Sequence, residues 1–379
     1  MAAQTKRNSK KGKSKAKIIL FAIELIIILA MVAVLWWVMS QEDEGPKVTV
    51  LDSSSLAIPS QVIQEKEEGG TMHGYINIAL FGVDALNDKQ LFKDSRSDST
   101  MIASINLDTG DIKLVSVYRD SYLNIGKVKE LFSEKKWTED RLDPEADYYT
   151  KCNAAYAYGG AQQAVKMLNM NLDMDITDFV TVGYKGLSKV IDGLGGVYVE
   201  VDSEELKHIN NYQQAVAEVL QCDYTKVTET GYQCLNGVQA TAYCRIRQTA
   251  GSDFQRTARQ REVLKSIEAQ AKKADLTTLL KVFDNAIGDI YTSLNTDDIK
   301  ELLGNIANYS IVEEAGFPNE KLRSNANIDG HGACIIPDDL VENVEWLHHF
   351  FFEDEEYTVS DTLREYSEKI LSNVAKYGE

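Results

Sequence analysis

The sequence has no CxxC pair, no histidine at zinc-site spacing, no internal repeat and no low-complexity tract, and it is poor in positive charge. Without such ligand spacings a structural metal cluster has little to form from. Acidic side chains outnumber basic ones 58 to 40, for a net charge of −18. Residues 1–17 hold seven positive charges (Lys6, Arg7, Lys10, Lys11, Lys13, Lys15, Lys17) and no acid, so the rest of the chain stands at about −25. A surface that acidic repels phosphate backbones and argues against nucleic acid as a partner. An arginine cluster within it reads instead as a local anion pocket. Five cysteines are present: Cys152, Cys222, Cys234, Cys244 and Cys334. Cys222 and Cys234 bracket a polar segment and, outside a membrane, can close a loop worth about 3 kcal/mol in the chain-entropy model. Five reduced, mostly buried thiols are the alternative.

Ile18 to Met39 is an apolar run of 22 residues interrupted only by Glu24. As a helix it spans about 33 Å, enough for a hydrocarbon core of about 30 Å. It ends on Trp36-Trp37 without a small-residue cleavage site, which favours a retained anchor over a signal peptide. Basic residues before it and Glu42-Asp43-Glu44 after it orient the N-terminus inward. The expected layout is a cytoplasmic tail over 1–17, a transmembrane helix over 18–39, and an extracellular remainder: a single-pass protein of the cell membrane. Gly45-Pro46, the serines at 53–55 and a mixed-charge stretch ending in Gly69-Gly70 read as a stalk over 40–72.

From Tyr75 the pattern turns to strands. Tyr75 to Phe81 is a buried-strand candidate stopped by Gly82, with Asp84 at its carboxyl end. Thr100–Leu107 and Ile112–Tyr118 flank Asp108-Thr109-Gly110, a hairpin signal. Helices are expected at 160–172, 237–243, 254–272 and 276–287, with a strand at 195–201. Strands mixed with covering helices imply an α/β fold, a three-layer α-β-α domain with a twisted mixed sheet over 73–310. Residues 311–379 form an extension packed on or continuing that domain. Its aromatic run 346–352 reads as packing, and His331, His348 and His349 as surface residues.

If the hairpin turn centres near residues 108–109, paired residue numbers sum to about 217, which sets Asp98 opposite Arg119. Arg96 and Asp98 then share a sheet rim with Arg119 and Asp120. Carboxylates and guanidinium groups mixed at a rim suit a magnesium-phosphate site, since oxygen ligands hold the hard cation and planar forks grip phosphoryl oxygens. A cluster of surface salt bridges satisfies the same residues. A second group follows: Arg245 and Arg247 after one helix, then Asp253, expected to cap the next, on which Arg256, Arg259 and Gln260 share a face. Arg261 points elsewhere. Five arginines between 245 and 261 repel one another unless an anion or local acids sit among them. A diphosphate fits, and so does pairing of each arginine with its own acid.

Six blocks in order then resemble the LytR-CpsA-Psr family of membrane-anchored cell-wall glycopolymer ligases: Gly82-Val83-Asp84, Arg96-Ser97-Asp98, Ser116-Val117-Tyr118-Arg119-Asp120, Lys151 through Gly160, Asp192 through Val197, and Arg245-Ile246-Arg247 through Gln260. The match runs from about Tyr75 to Lys272. It departs from the usual pattern in Tyr118, where a proline is common, and in Ser99, Cys152 and Cys244; no charged group is lost. The resemblance implies that Asp84 and Asp98 hold a divalent metal, magnesium or manganese, against a pyrophosphate. It implies that Arg96, Arg119, Arg245, Arg247, Arg256 and Gln260 grip the pyrophosphate oxygens with Lys151 close by, and that a lipid tail lies in an apolar tunnel between sheet and helices.

The function implied is phosphotransfer of a glycopolymer, such as teichoic acid or capsule, from a polyprenyl pyrophosphate carrier to peptidoglycan. Arg119 and Arg245 would stabilise the developing charge. Asp253, ahead of Asp120 and Asp98, is the candidate base, with a plain helix cap as its alternative role. Two rival functions use the same chain: a polyprenyl-pyrophosphate hydrolase, with water as acceptor, and a membrane-bound regulator of the attenuator type. The 17-residue basic tail carries no DNA-binding motif and matches the positive-inside rule and contact with anionic lipid.

Overall fold

The central hairpin forms in the register that its turn dictates. Strands β3 (Ser97–Asn106) and β4 (Asp111–Val117) pair antiparallel from Met101 with Ser116 to Ile105 with Ile112, a constant sum of 217. The turn is fixed by Asn106, whose side-chain oxygen accepts from the amides of Asp108 and Thr109 at 2.9 and 3.1 Å. Gly110 completes it at a φ of 78°, and a Cβ there would lie 2.0 Å from the Asn308 carbonyl oxygen.

The computed structural model describes residues 47–378 apart from 86, 87 and 355. Five more strands join the hairpin: β1 (Lys47–Val48), β2 (Tyr75–Val83), β5 (Asp178–Val182), β6 (Ile290–Thr292) and β7 (Ser310–Phe317). The sheet order is β1-β6-β5-β2-β3-β4-β7. Pairing is parallel at β1/β6, β5/β2 and β4/β7 and antiparallel elsewhere, so this is a mixed α/β domain with a mixed central sheet.

Strand alternation gives the sheet two apolar faces. Ala79, Phe81, Val83, Ile102, Val115 and Phe179 turn toward helix α1 (Ala154–Leu172) and the main core, which also takes in the C-terminal helices Leu340–Phe352 and Asp361–Tyr377. Against the opposite face lie α2 (Tyr184–Gly193), α3 (Ser203–Leu220), α4 (Gly237–Tyr243) and α5 (Ser252–Ala271), which share a smaller core with the hairpin of Val197–Val201 and Gly231–Leu235.

Some expectations fall outside the described residues and others are revised. The transmembrane helix and the cytoplasmic tail lie outside the described residues; among the described residues no helix is long and apolar enough to cross a membrane. From residue 47 the expected stalk is part of the fold: β1 edges the sheet, and Leu51, Leu56, Val62 and Met72 are buried in the main core, apolar side chains spaced too widely to show as a strand or helix signal. The 195–201 strand forms, but in its own two-stranded sheet. Beyond residue 310 the chain supplies β7, a central-sheet strand parallel to β4. Cys222 and Cys234 are exposed and unbonded; the other three cysteines are free and buried.

His348 is fully buried, not on the surface. Its Nε2 lies 3.0 Å from the Leu172 carbonyl oxygen and its ring stacks on Tyr357 with centroids 3.5 Å apart. Burial pushes the imidazole down to about 4 from its ordinary 6.5, against the weaker pull of the Leu172 carbonyl and Asp354. The unfolded chain therefore takes up this proton first, so His348 contributes full stability above about pH 6.5 and progressively less down to pH 4. The nearby Asp173, raised by burial, works in the opposite sense. His348→Gln is expected to remove about 3 kcal/mol of acid sensitivity between pH 7 and pH 4, read as a flatter dependence of the urea midpoint on pH; an unaltered slope would contradict a buried neutral imidazole.

Candidate active site

The floor of the site is the sheet face turned away from the main core. Leu80 of β2, Met101 of β3 and Val180 and Val182 of β5 line a cavity of about 380 Å³, roofed by Leu187 of α2 and by Val263 and Leu264 of α5. One end of this apolar space is polar: the charged Asp84, Asp98, Arg245, Arg247 and Arg256 line it together with the Gln260 amide. A pocket of this size, mostly apolar with a few convergent polar groups, has the form of a small-molecule or lipid site.

A β-bulge explains how Asp98 reaches the cavity. Gly82 pairs with Ser99 but Val83 pairs with Ser97, leaving Asp98 out of the ladder. Regular alternation from Met101 and Ser99 would turn Asp98 to the other face; the extra residue re-aims it. Its carboxylate accepts from Arg119 and, at 2.8 Å, from Arg247, while its backbone carbonyl accepts from Arg256 at 3.0 Å. The register expectation that set Asp98 against Arg119 is thus met by a direct hydrogen bond.

The remaining partners build outward. Asp253 lies 3.3 Å from Arg256 and 3.7 Å from Arg247. Asp120 lies 3.7 Å from Arg119 and 3.1 Å from Lys151. Arg245 lies 3.6 Å from Asp84 and over the Tyr184 ring at 4.5 Å, a cation–π contact that fixes its plane. Burial raises the Tyr184 phenol above its usual range, with Arg245 opposing and Asp84 adding to the rise.

The cluster is incompletely satisfied. Arg256 is 1% exposed, yet its Nε and Nη1 are buried without hydrogen-bond partners, as are Arg119 Nε, Asp253 Oδ2 and Gln260 Oε1. Buried orphan donors of this kind are costly and call for a partner. Burial also moves two groups in opposite directions. It raises the Asp253 carboxyl above its ordinary value, against the pull of Arg256, and lowers the Arg256 guanidinium, against that of Asp253.

Three residues sit differently from their expected places. Asp253 is not the helix cap; Gly251 holds that position and Asp253 lies in the first turn, its carboxylate turned to two arginines. Arg259 leaves the shared face, buried against Glu205 at 2.7 Å and the Ile246 carbonyl at 2.9 Å, because the smaller core behind α5 holds a buried acid for it. Arg96 is exposed, lies outside the cavity lining, and pairs with no acid among the described residues. Tyr184 and Tyr212 line the cavity and were missed. A signal existed for Tyr184: Phe179-Val180-Thr181-Val182 is an apolar-rich run stopped by Gly183, the same punctuation that flagged Gly82 and Asp84.

Among the described residues, Asp84 and Asp98 are the cavity's two carboxylates. Among the described residues no group of three or more His, Cys, Asp and Glu gathers as a metal cage. Two carboxylates completed by phosphate oxygens and water still fit magnesium, which is seldom held by an all-protein cage. Asp84 has the freer oxygens, since guanidinium groups already occupy both of those on Asp98.

An anion grip at the mouth of an apolar cavity defines the class, a site for an amphiphile with a phosphorylated head. Residues 47–344 match the LytR_cpsA_psr family, and the chain belongs to it. A protein of Enterococcus faecalis described as polyisoprenyl-teichoic acid–peptidoglycan teichoic acid transferase TagU is 27% identical over 297 residues, covering 77% of this chain and 83% of its own. Its namesake from Halalkalibacterium halodurans is 29% identical over 272 residues, covering 71% and 76%. Among solved structures, TagV of Bacillus subtilis superposes with a TM-score of 0.55 at 21% identity, covering 75% of this chain and 98% of that one. The family protein TagT with bound octaprenyl pyrophosphate gives 0.50 at 21%, covering 74% and 92%. These two likenesses speak to the fold.

Arg256→Met removes the cation held between Asp98 and Asp253 and leaves the largely buried Asp253 carboxylate with Arg247 alone, at 3.7 Å. It is expected to lower unfolding free energy by about 3 kcal/mol, measured by urea denaturation at pH 7; a midpoint equal to wild type would show that Arg256 is not a buried ion-pair partner.

Proposed function

We propose that the chain is a glycopolymer phosphotransferase that moves a teichoic acid or similar polymer from a polyprenyl pyrophosphate carrier to peptidoglycan. The observation that carries this reading is the apolar cavity ending at a buried arginine, Arg256, whose Nε and Nη1 lack hydrogen-bond partners. The transferase relatives and the lipid held by TagT support the same chemistry. We further propose that residues 18–39 anchor the protein in the cell membrane with the N-terminus cytoplasmic and the catalytic domain outside.

The prenyl tail enters between sheet and helices, and the pyrophosphate stops at the charged mouth. Arg119, Arg245, Arg247, Arg256 and Gln260 hold its oxygens, with Lys151 adding charge through Asp120, while Arg96 stays on the exposed rim outside the cavity. An acceptor sugar hydroxyl attacks the phosphorus nearer the glycan, the bond from that phosphorus to the bridging oxygen breaks, and polyprenyl phosphate leaves. Asp253 takes the hydroxyl proton, a role suited to a carboxylate whose pKa burial has raised. Arg119 and Arg245 stabilise the charge that builds on the phosphoryl oxygens. Magnesium, held by Asp84 and Asp98, would neutralise part of the pyrophosphate charge.

Incubating the detergent-solubilised chain with a short polyprenyl-pyrophosphate-linked glycan, Mg²⁺ and peptidoglycan oligomers should give a phosphodiester-linked adduct and free polyprenyl phosphate by mass spectrometry. Glycan phosphate without adduct would instead identify a hydrolase. Arg119→Ala and Arg245→Ala are each expected to lower turnover by about 100-fold or more with the fold retained; wild-type turnover in either rules out the assigned grip. Turnover should fall as pH drops through the raised pKa of Asp253, and Asp253→Asn should reduce the rate and abolish that acidic limb. Persistence of the limb in the variant assigns the base elsewhere.

A further inference from the structure

Arg323 opens the strand Arg323–Ile328, which pairs antiparallel with Gly332–Pro337. This hairpin docks beside the ion cluster, where the Ile335 amide donates to the Asp120 carbonyl at 2.9 Å. The half-buried guanidinium of Arg323 lies 3.9 Å from the ring centre of Phe254 and 4.8 Å from that of Tyr118. Those rings meet edge to face at 4.7 Å, and each adjoins a cluster residue in the chain, Phe254 next to Asp253 and Tyr118 next to Arg119. Gly316 makes room for the arrangement, since a Cβ there would lie 1.9 Å from the Tyr118 hydroxyl oxygen.

The hydrogen bonding of Arg323 is sparse. Nη1 donates to the Pro318 carbonyl at 3.1 Å, and among the described residues no carboxylate pairs with the group, in a chain with 58 acids. Contact with two rings set edge to face restricts the guanidinium without consuming its donors. The result is a preoriented fork, outside the cavity lining, with Nε and Nη2 available for a planar oxyanion.

We propose that Arg323 forms a second oxyanion subsite, which binds a phosphate or carboxylate carried by a saccharide substrate outside the pyrophosphate grip. This rests on the transferase reading above. The anion belongs either to the donor glycan beyond its pyrophosphate or to the acceptor, and the two are separated by experiment.

The full chain in detergent micelles is titrated by calorimetry with four probes: sugarless polyprenyl pyrophosphate, a polyprenyl-pyrophosphate disaccharide with a glycerol phosphate substituent, the same disaccharide without it, and a muropeptide with free carboxylates. Arg323→Gln should weaken either the phosphate-bearing donor or the muropeptide by about tenfold, naming the source, and leave the sugarless lipid unchanged. Arg323→Lys, which keeps the charge over the rings but loses the fork, should weaken the same probe and decides the matter if Arg323→Gln melts early. Unchanged affinity for every probe overturns the subsite, and so does an equal loss on the sugarless lipid, which would make Arg323 part of the pyrophosphate grip. Failure of the wild type to bind the sugarless lipid is a different outcome and sinks the transferase reading itself.

Discussion

The carboxylate of Asp98 is the constraint on which the site depends. One bulge residue on β3 turns it out of the hydrogen-bond ladder, and it then gathers arginines from three separate segments: Arg119 at the end of β4, Arg247 in the turn after α4 and Arg256 on α5. Like charges brought so close repel by several kcal/mol at the effective dielectric of a partly buried site. The carboxylate offsets this and ties the helical layer to the sheet at the open end of the cavity. Without the bulge, alternation would turn the carboxylate to the opposite face of the sheet, away from the cavity.

The balance at this point is deliberately uneven in its effect on ligands. Arg119, Arg245, Arg247, Arg256 and Lys151 face Asp84, Asp98, Asp120 and Asp253, one positive charge in excess inside a chain of net charge −18. The local sign is therefore opposite to that of the molecule, and an anion is favoured only at this mouth. A doubly charged pyrophosphate would overshoot the excess, and a divalent cation beside Asp84 would restore it. The orphan donors of Arg256 make the same case by geometry: two of its buried nitrogens have no hydrogen-bond partner, a cost that an oxyanion in the cavity would offset.

Much of this was readable from residue order, for reasons that are local. The hairpin register followed from a turn whose residues set its centre, and the helices expected at 237–243 and 276–287 form as Gly237–Tyr243 and Leu276–Ala286. Asp84 fell at a strand end, so its placement at the rim needed only the strand reading; Asp98 needed the bulge on β3 as well. What was not legible depends on which elements pack together. The cavity lining of Leu80, Val180 and Val182 looks like any buried strand until α2 and α5 stand off from it. The pairing of β7 with β4 joins residues about 200 apart, with nothing in either strand to announce the other. Arg259 and Arg256 are indistinguishable by spacing, and only the buried Glu205 behind α5 takes one of them away from the site. His348 reads as polar until the stacked Tyr357 and the end of α1 close over it.

The cavity also bears on what the reaction can be selective for. A space of about 380 Å³ between well-packed layers is a place where filling side chains would have added stability, and the sheet instead presents Leu80, Val180 and Val182 half-exposed. In the proposed reaction that space takes the prenyl tail, so the head stops at the arginines and everything beyond the pyrophosphate remains outside. Polymer length then makes no contact with the interior and has no means of changing the rate. In that proposed reaction selectivity would come from the first saccharide units, beside Asp253 and the Tyr118–Phe254 ring pair, where the acceptor hydroxyl would also arrive. Donor and acceptor recognition are in this way confined to one small rim, while the energy that holds the complex comes from the lipid and the charge on its head.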